Sequence, residues 1–115
     1  MMPNWTFLHD IYFDFDKYEI GADAAKTLDA NAAWLKSRPN YLLLVEGHCD
    51  ERGTTEYNLT LGDRRAKATM NYLVSRGVEA RRITVVSYGE DRPQCQGHNE
   101  ACWAKNRRAR FLVKA

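Results

Sequence analysis

The sequence predicts an α+β domain in which one mixed sheet of four strands, or fewer, is covered on one side by two long helices. The chain has 115 residues, of which 44% are hydrophobic and 28% charged, as expected for one globular domain with a single core. Two stretches with helical periodicity alternate with short apolar or alternating stretches, and a last apolar stretch lies near the C-terminus. Long helices between strands favour crossover connections within one sheet.

The first predicted strand covers residues 11–16, where Ile and Phe residues alternate with more polar ones as in a half-buried strand. Residues 1–8 show little pattern and are predicted to be an N-terminal tail, which leaves residues 9–115 for the domain. A helix is predicted over residues 23–37, because apolar residues recur every three or four positions and Pro39 excludes a longer helix.

The second strand is predicted over residues 41–45, a continuous apolar run typical of a strand covered on both faces. The second helix is predicted over residues 55–76. Leu59 is expected to belong to its apolar face, and Gly77 is expected to cap its C-terminus.

The third strand is predicted over residues 83–88, which are rich in β-branched residues and end at a glycine. A polar loop and a short helical turn over about residues 100–105 follow, and residues 111–113 form the final strand. The predicted order is therefore β-α-β-α-β-β, with the helical turn before the last strand.

Charge and hydropathy exclude several classes of function. The net charge of +2 is too balanced to indicate nucleic-acid or membrane binding by bulk electrostatics. No apolar run approaches the roughly 20 residues that span a bilayer. The first residues also lack the basic and apolar regions of a signal peptide, so we expect either a cytoplasmic protein or a chain given without its leader.

The most informative stretch is the loop of residues 47–54, a charged segment between two glycines that follows the apolar strand. It contains Asp50 and Arg52, and the helix behind it contains Arg64 and Arg65. A carboxylate close to a guanidinium suits a zwitterionic ligand, with each charge-assisted hydrogen bond contributing about 1.5–3 kcal/mol. The alternative is a solvent-facing ion pair, Asp50–Arg65 or Glu51–Arg52, which contributes about 0–1 kcal/mol.

His48 and Cys49 allow a hydrolase hypothesis, with the thiol as nucleophile and the imidazole as base. Adjacent residues at a strand end point to opposite faces, so the two side chains are not expected to meet. The sequence also lacks the common serine-hydrolase, zinc-protease and phosphate-loop motifs. We therefore expect no enzyme, and we expect Cys49 to be a packed residue.

Cys95, His98 and Cys102 leave three alternatives open. The two cysteines permit one disulfide across a short loop, they could remain free thiols, or the three residues could bind zinc with a remote fourth ligand. His9 and His48 lie in distant elements, so no fourth ligand is evident. We prefer the disulfide over free thiols, and both over a metal; no cofactor is expected.

A basic cluster at residues 106–110 runs into the last strand. Alone, such a cluster could contact phosphate groups. Only Trp103 lies beside it, without the series of aromatic residues that accompanies nucleic-acid recognition. We therefore expect these arginines to cover the sheet edge and to pair with nearby acids.

Six short motifs occur in order along the chain. They are Phe-Asp-Phe-Asp at 13–16, Val-Glu-Gly-His-x-Asp-Glu-Arg-Gly-Thr at 45–54, Glu-Tyr-Asn at 56–58, Leu-Gly-x-Arg-Arg-Ala at 61–66, Val-Ser-Tyr-Gly at 86–89 and Asn-Arg-Arg-Ala at 106–109. Together they resemble the OmpA-like C-terminal domain family over about residues 7–113, and within it the peptidoglycan-associated lipoproteins. The resemblance implies a sheet-and-helix sandwich without enzymatic activity.

The resemblance also implies a ligand and its contacts. The ligand would be peptidoglycan, bound non-covalently through the diaminopimelate residue of its stem peptide. By resemblance, Asp50 takes the ammonium and Arg65 the carboxylate of that residue. Further implied contacts are Phe15, Asp16, Arg52, Thr54 and Leu61. The Asn-Arg-Arg motif at residues 106–108 is expected to support the site, and Arg64 to lie on the surface.

The cellular setting follows from the same resemblance. We expect a periplasmic monomer that anchors the outer membrane to the wall in a Tol-Pal-type system, with a TolB-like periplasmic protein as partner. Any membrane attachment would be through a lipid anchor that this sequence does not contain. The alternative is the wall anchor of another envelope machine, such as a stator or secretion system. Cys49 replaces the Thr or Ala that is usual in the family. The oxidising periplasm that the resemblance implies favours the Cys95–Cys102 bridge.

Overall fold

The structure is a computed structural model that describes the backbone of residues 5–115 and the side chains of residues 8–115. The strands are β1 (Trp5–Phe7), β2 (Ile11–Tyr12), β3 (Leu42–His48), β4 (Ile83–Gly89) and β5 (Arg108–Lys114). The helices are α1 (Ala22–Lys36), α2 (Thr55–Ser75) and α3 (Glu100–Asn106), and a 3₁₀ turn at Ala80–Arg82 precedes β4. None of the helices in this part of the chain is both long and apolar enough to cross a membrane.

The strands form one mixed sheet in the order β1-β5-β3-β4, and β2 also pairs with β5. β3 and β4 are parallel and connected through α2, whereas β5 runs antiparallel to β3. β1 pairs with the C-terminal half of β5 and β2 with its N-terminal half, so the two short strands share one edge of the sheet. The sheet is therefore four strands wide, and the predicted fold class is confirmed.

The N-terminal boundary differs from the prediction. Residues 5–7 of the predicted tail form β1, because β5 is long enough to pair with a second short strand along its outer edge; residues 1–4 lie outside the described residues. The predicted strand over 11–16 is also too long. A turn in which Lys17 N donates to Asp14 O, with Asp16 at a φ of 58°, ends the extended conformation.

The two long helices begin and end within about one residue of their predicted bounds, and Gly77 adopts the predicted left-handed conformation with a φ of 98°. The prediction for Leu59 is wrong, since its side chain is 39% exposed. The buried stripe of α2 instead includes Asn58 and Arg65, two polar residues that a hydrophobic pattern does not reveal. The prediction that both faces of β3 are covered is also wrong at the start of the strand, where Leu42 is exposed.

One hydrophobic core lies between the sheet and the two long helices. It includes Leu28 and Leu35 of α1, Ala66 and Leu73 of α2, and Val45 and Phe111 of the sheet.

Two glycines determine how closely α2 approaches the sheet. A Cβ on Gly47 would overlap the Gly62 carbonyl, and a Cβ on Gly62 would overlap Ser87 Oγ. This direct backbone contact between α2 and β3 brings Arg65 against the carboxyl end of β3, where the charged loop begins.

Candidate ligand-binding site

Six of the seven side chains predicted to contact a ligand line one small cavity at the carboxyl end of β3. The cavity has a volume of about 200 Å³. The six residues are Phe15, Asp16, Asp50, Arg52, Leu61 and Arg65. Thr54, the seventh, lines an adjoining cavity of about 500 Å³, which shares Asp16 and Leu61 with the first.

Asp50 is 4% exposed and accepts hydrogen bonds with both carboxylate oxygens. Oδ1 accepts from Arg52 N at 3.0 Å and from Arg52 Nε at 3.2 Å. Oδ2 accepts from Arg52 Nη2 at 2.8 Å and from Arg107 Nη1 at 3.5 Å. Burial raises the pKa of Asp50, but the hydrogen bonds and charges of these arginines outweigh it and hold that pKa below its ordinary value. Asp50 is therefore an anion at neutral pH.

Arg52 lies over Asp50 between two aromatic rings. Its guanidinium carbon is 3.9 Å from the ring centroid of Phe15 and 4.2 Å from that of Trp103. Each such contact contributes about 0.5–1 kcal/mol at a partly exposed site. The side chain is 32% exposed, so Arg52 is the part of this ion pair that solvent reaches.

Arg65 is 1% exposed and donates to three backbone carbonyls. Nε donates to Lys17 O at 2.8 Å, Nη1 to His48 O at 3.0 Å and Nη2 to Asp14 O at 3.1 Å. A guanidinium has five N–H donors, so these bonds leave two others. Burial lowers the pKa of Arg65, yet arginine stays charged at physiological pH. Arg65 thus joins the β2–α1 loop to the end of β3 and supplies a cation to the cavity.

Asn58 organises the loop that carries Asp50. It is fully buried, and its amide nitrogen lies within hydrogen-bonding distance of Asp50 O at 3.4 Å, Arg52 O at 3.1 Å and Glu90 Oε1 at 2.9 Å. Sequence reasoning did not assign this role to Asn58.

Thr54 and Asp16 have local structural roles beside the cavity. Thr54 is the N-cap of α2, since its Oγ1 accepts from Tyr57 N at 3.1 Å. The Tyr57 hydroxyl donates to Asp16 Oδ1, which joins the turn after β2 to the start of α2. Asp16 is the non-glycine residue with positive φ in the described backbone, a conformation that aspartate tolerates.

Helix α3 is attached to the site loop through Glu51. Trp103 Nε1 donates to Glu51 Oε2 at 2.7 Å, and His98 Nδ1 lies 2.6 Å from the same oxygen. The hydrogen bond from Trp103, and then that from His98, hold the pKa of Glu51 below its ordinary value. The same Trp103 ring stacks on Arg52, so α3 holds two consecutive residues of the loop.

His48 and Cys49 do not form a catalytic pair. His48 Nε2 lies 3.0 Å from Glu46 Oε1, whereas Cys49 Sγ contacts Asn58 O at 3.2 Å. Burial raises the pKa of Cys49 to about 11, and burial lowers the pKa of His48 to about 4. A thiol that stays protonated at neutral pH is a poor nucleophile.

Cys95 and Cys102 form a disulfide, with their Cα atoms 5.0 Å apart. Asn106 holds the same segment, because its Oδ1 accepts from Gln94 N and Cys95 N at 2.8 and 2.9 Å. Of the three alternatives that the sequence leaves open, the structure has the disulfide. His98 pairs instead with Glu51.

The structure thus adds four residues to the predicted site, namely Tyr57, Asn58, Trp103 and Arg107. Three of them lie in motifs visible in the sequence, Tyr57 and Asn58 in Glu-Tyr-Asn at 56–58 and Arg107 in Asn-Arg-Arg-Ala at 106–109, which was expected to support the site. Trp103 had only its position next to the basic cluster as a signal.

Comparison with known proteins gives consistent results for family and fold. The OmpA family model matches residues 12–108. A peptidoglycan-associated lipoprotein of Rhizobium meliloti is 54% identical over 99 residues, which are 86% of this chain and 56% of that protein. The peptidoglycan-associated lipoprotein of Haemophilus influenzae is 52% identical over 86% of this chain and 65% of its own length. The chain therefore spans between about half and two thirds of these relatives.

Comparison with solved structures gives the same fold. The crystal structure of the peptidoglycan-associated lipoprotein from Burkholderia pseudomallei matches with a TM-score of 0.88 and 43% identity, covering 91% of this chain and 89% of that one. The C-terminal domain of Helicobacter pylori MotB matches with a TM-score of 0.86 over 93% of this chain and 84% of that one. At 19% identity, the second match concerns the fold alone.

Proposed function

The chain belongs to the OmpA family, and we propose that it is a non-enzymatic domain that binds peptidoglycan and anchors the bacterial envelope to its wall. The observation that best supports this proposal is the buried, ionised Asp50 in one cavity with the buried guanidinium of Arg65. Relatives that are 54% and 52% identical are named for association with peptidoglycan.

The proposed ligand group is the free end of diaminopimelate in the stem peptide, which has an ammonium and a carboxylate on the same carbon. Asp50 binds the ammonium and an arginine binds the carboxylate, so that each ligand charge meets its opposite. The cavity of about 200 Å³ is smaller than typical pockets for whole small molecules, which are about 300–1,000 Å³. It therefore receives the end of one side chain rather than the whole repeating unit.

Arg52 competes with the ligand ammonium for Asp50. A carboxylate has about four lone-pair positions. The free protein directs four hydrogen bonds to Asp50, three from Arg52 and one from Arg107. A bound ammonium therefore displaces one of these bonds, and the Arg52 guanidinium is the donor that can move, because its side chain is partly exposed whereas Arg107 is buried. The released guanidinium stays between Phe15 and Trp103 and turns to the ligand carboxylate, which it shares with Arg65.

A pull-down on purified peptidoglycan sacculi tests this proposal. We expect the wild type to sediment with the sacculi and Asp50→Ala to remain in the supernatant. Arg81→Ala is the control, because this exposed arginine pairs with Glu79 and lines neither cavity of the site. Circular dichroism must show that Asp50→Ala is folded. A folded Asp50→Ala protein that still sediments like the wild type would refute the site.

The cellular setting is part of the same proposal. The domain lies in the periplasm in association with the outer membrane, is monomeric, and also binds a TolB-like periplasmic protein. The identity to named lipoproteins supports this setting over the anchor of another envelope machine. Light scattering tests the monomer. Failure of a purified TolB-like protein to retain the domain would remove that partner without affecting wall binding.

A further inference from the structure

The face of the sheet opposite the helices carries a second charged cavity, of about 470 Å³, which we call the sheet-face cavity. Register places Glu46 of β3 opposite Arg110 of β5, one residue away from Val45 and Phe111, which pack in the core. Side chains alternate between the two faces of a strand, so Glu46 and Arg110 point away from the core. The titratable residues of the cavity are Asp10, Glu46, His48, Arg92, Arg108 and Arg110.

Arg108 is 4% exposed and poorly paired for a buried cation. Nη2 donates to Arg92 O at 3.3 Å, and Nε lies 3.8 Å from Asp10 Oδ2, beyond a normal hydrogen bond. Nη1 is buried and has no hydrogen-bond partner among residues 8–115. Burial also lowers the pKa of Arg108 and raises that of Asp10, so their attraction does not compensate for desolvation. Buried charged groups normally have partners, which indicates that an acceptor is missing here.

The other groups leave a positive charge in the cavity. Glu46 is paired with His48, whose burial lowers its pKa to about 4, so this histidine is neutral at pH 7. The neutral ring donates from Nε2 to the carboxylate, which leaves Nδ1 as a buried acceptor without a partner in the described part of the chain. Three guanidinium groups then face two carboxylates, a formal balance of +1.

We propose that the sheet-face cavity binds a phosphate-class oxyanion, held by Arg92, Arg108 and Arg110. Arginine forks match the oxygens of phosphate, and Arg108, the most buried of the three arginines, gains the acceptor that its buried Nη1 lacks. A singly charged group balances the cavity, and a hydroxyl on the ligand can donate to His48 Nδ1. This assigns a ligand to Arg108 and Arg110 of the basic cluster at 106–110, whose Arg107 contacts Asp50 in the proposed wall site. The phosphate comes either from free phosphate or from a lipid headgroup.

Titration of ¹⁵N-labelled protein with sodium phosphate, at ionic strength held constant with sodium chloride, tests the proposal. We expect saturable shifts of the arginine Nε–Hε and amide signals around the cavity. Arg92→Gln and Arg110→Gln should each weaken binding by about tenfold, the effect of losing one charge-assisted hydrogen bond. Both residues lie outside the core, so we expect both variants to fold, which circular dichroism checks. Arg81→Gln, at an exposed site paired with Glu79, is the control and should bind like the wild type.

Two results would overturn the proposal. One is a set of shifts that chloride reproduces. The other is an affinity for phosphate that neither Arg92→Gln nor Arg110→Gln changes.

Vesicle sedimentation distinguishes the two sources of phosphate. Binding to phosphatidylglycerol vesicles but not to phosphatidylcholine vesicles, with loss in Arg92→Gln, would assign the cavity to a lipid headgroup. Saturable binding of sodium phosphate without vesicle binding would assign it to free phosphate. Absence of binding in both experiments would refute the site. Sacculus binding by the Arg92→Gln protein should be unchanged, which separates this cavity from the proposed wall site.

Discussion

Replacing Arg52 by glutamine should make the domain less selective for diaminopimelate over lysine. In the free protein, two nitrogens of the Arg52 side chain donate to Asp50, at 3.2 and 2.8 Å. Arg52→Gln releases the carboxylate for any ammonium, so a lysine-containing stem peptide should bind more tightly than it binds the wild type. A diaminopimelate peptide also meets a free Asp50, but its own carboxylate loses the Arg52 guanidinium as a partner.

The magnitude follows from the lost contact with the ligand carboxylate. A charge-assisted hydrogen bond contributes about 1.5–3 kcal/mol, and 1.4 kcal/mol corresponds to a tenfold change in affinity. The ratio of the two affinities should therefore fall by about 10- to 100-fold in Arg52→Gln. The remaining preference comes from Arg65, which the substitution does not touch.

Isothermal titration calorimetry with the two peptides measures this ratio. Arg81→Gln is the control, since this exposed arginine pairs with Glu79 and lines neither cavity of the site. It should leave the ratio unchanged. If Arg52→Gln binds the lysine peptide no better than the wild type does, Arg52 does not compete for Asp50, and the displacement step is wrong.

Three further predictions concern stability. His48 has a pKa of about 4 in the folded protein and 6.5 in its ordinary state, so the unfolded chain binds more protons between these two pH values. Unfolding by urea should therefore show the free energy of unfolding falling by about 3 kcal/mol from pH 6.5 to 4, and by less in His48→Gln. Gly62→Ala should lower the melting temperature and cost at least about 2 kcal/mol, because its Cβ has no room between Gly47 and β4; an unchanged melting temperature would contradict the close helix–sheet contact. Reduction of the Cys95–Cys102 bridge should cost about 2–3 kcal/mol, and denatured protein should show one reactive thiol before reduction rather than three.

The elements with strong local patterns were predictable. α1 and α2 have regular apolar stripes and clear end signals, so their bounds agree with the structure to within about one residue. β1 was not predictable, since three residues become a strand only because the edge of β5 is available. The exposed position of Leu59 follows from the polar residues that occupy the buried stripe of its helix, which hydrophobic periodicity cannot anticipate.

The sequence predicted which side chains lie together in the cavity better than it predicted the contacts among them. The sequence indicates that Asp50 and Arg65 lie near each other, because Asp50 is in the loop after a strand and Arg65 is on the helix that follows this loop. It does not show that Arg65 is committed to three carbonyls, nor that Trp103 stacks on Arg52. Contacts between residues about 50 positions apart depend on how α3 packs, and no local pattern encodes that packing.

We propose that the wild-type cavity recognises the two opposite charges at the end of one ligand side chain. Calorimetric titration of the wild type with a diaminopimelate stem peptide and with its lysine counterpart tests this most directly, since only the carboxylate differs. We predict that the diaminopimelate peptide binds more tightly by about 1–3 kcal/mol, because lysine leaves the arginines of the cavity without an anion. Equal affinities for the two peptides would contradict the claim.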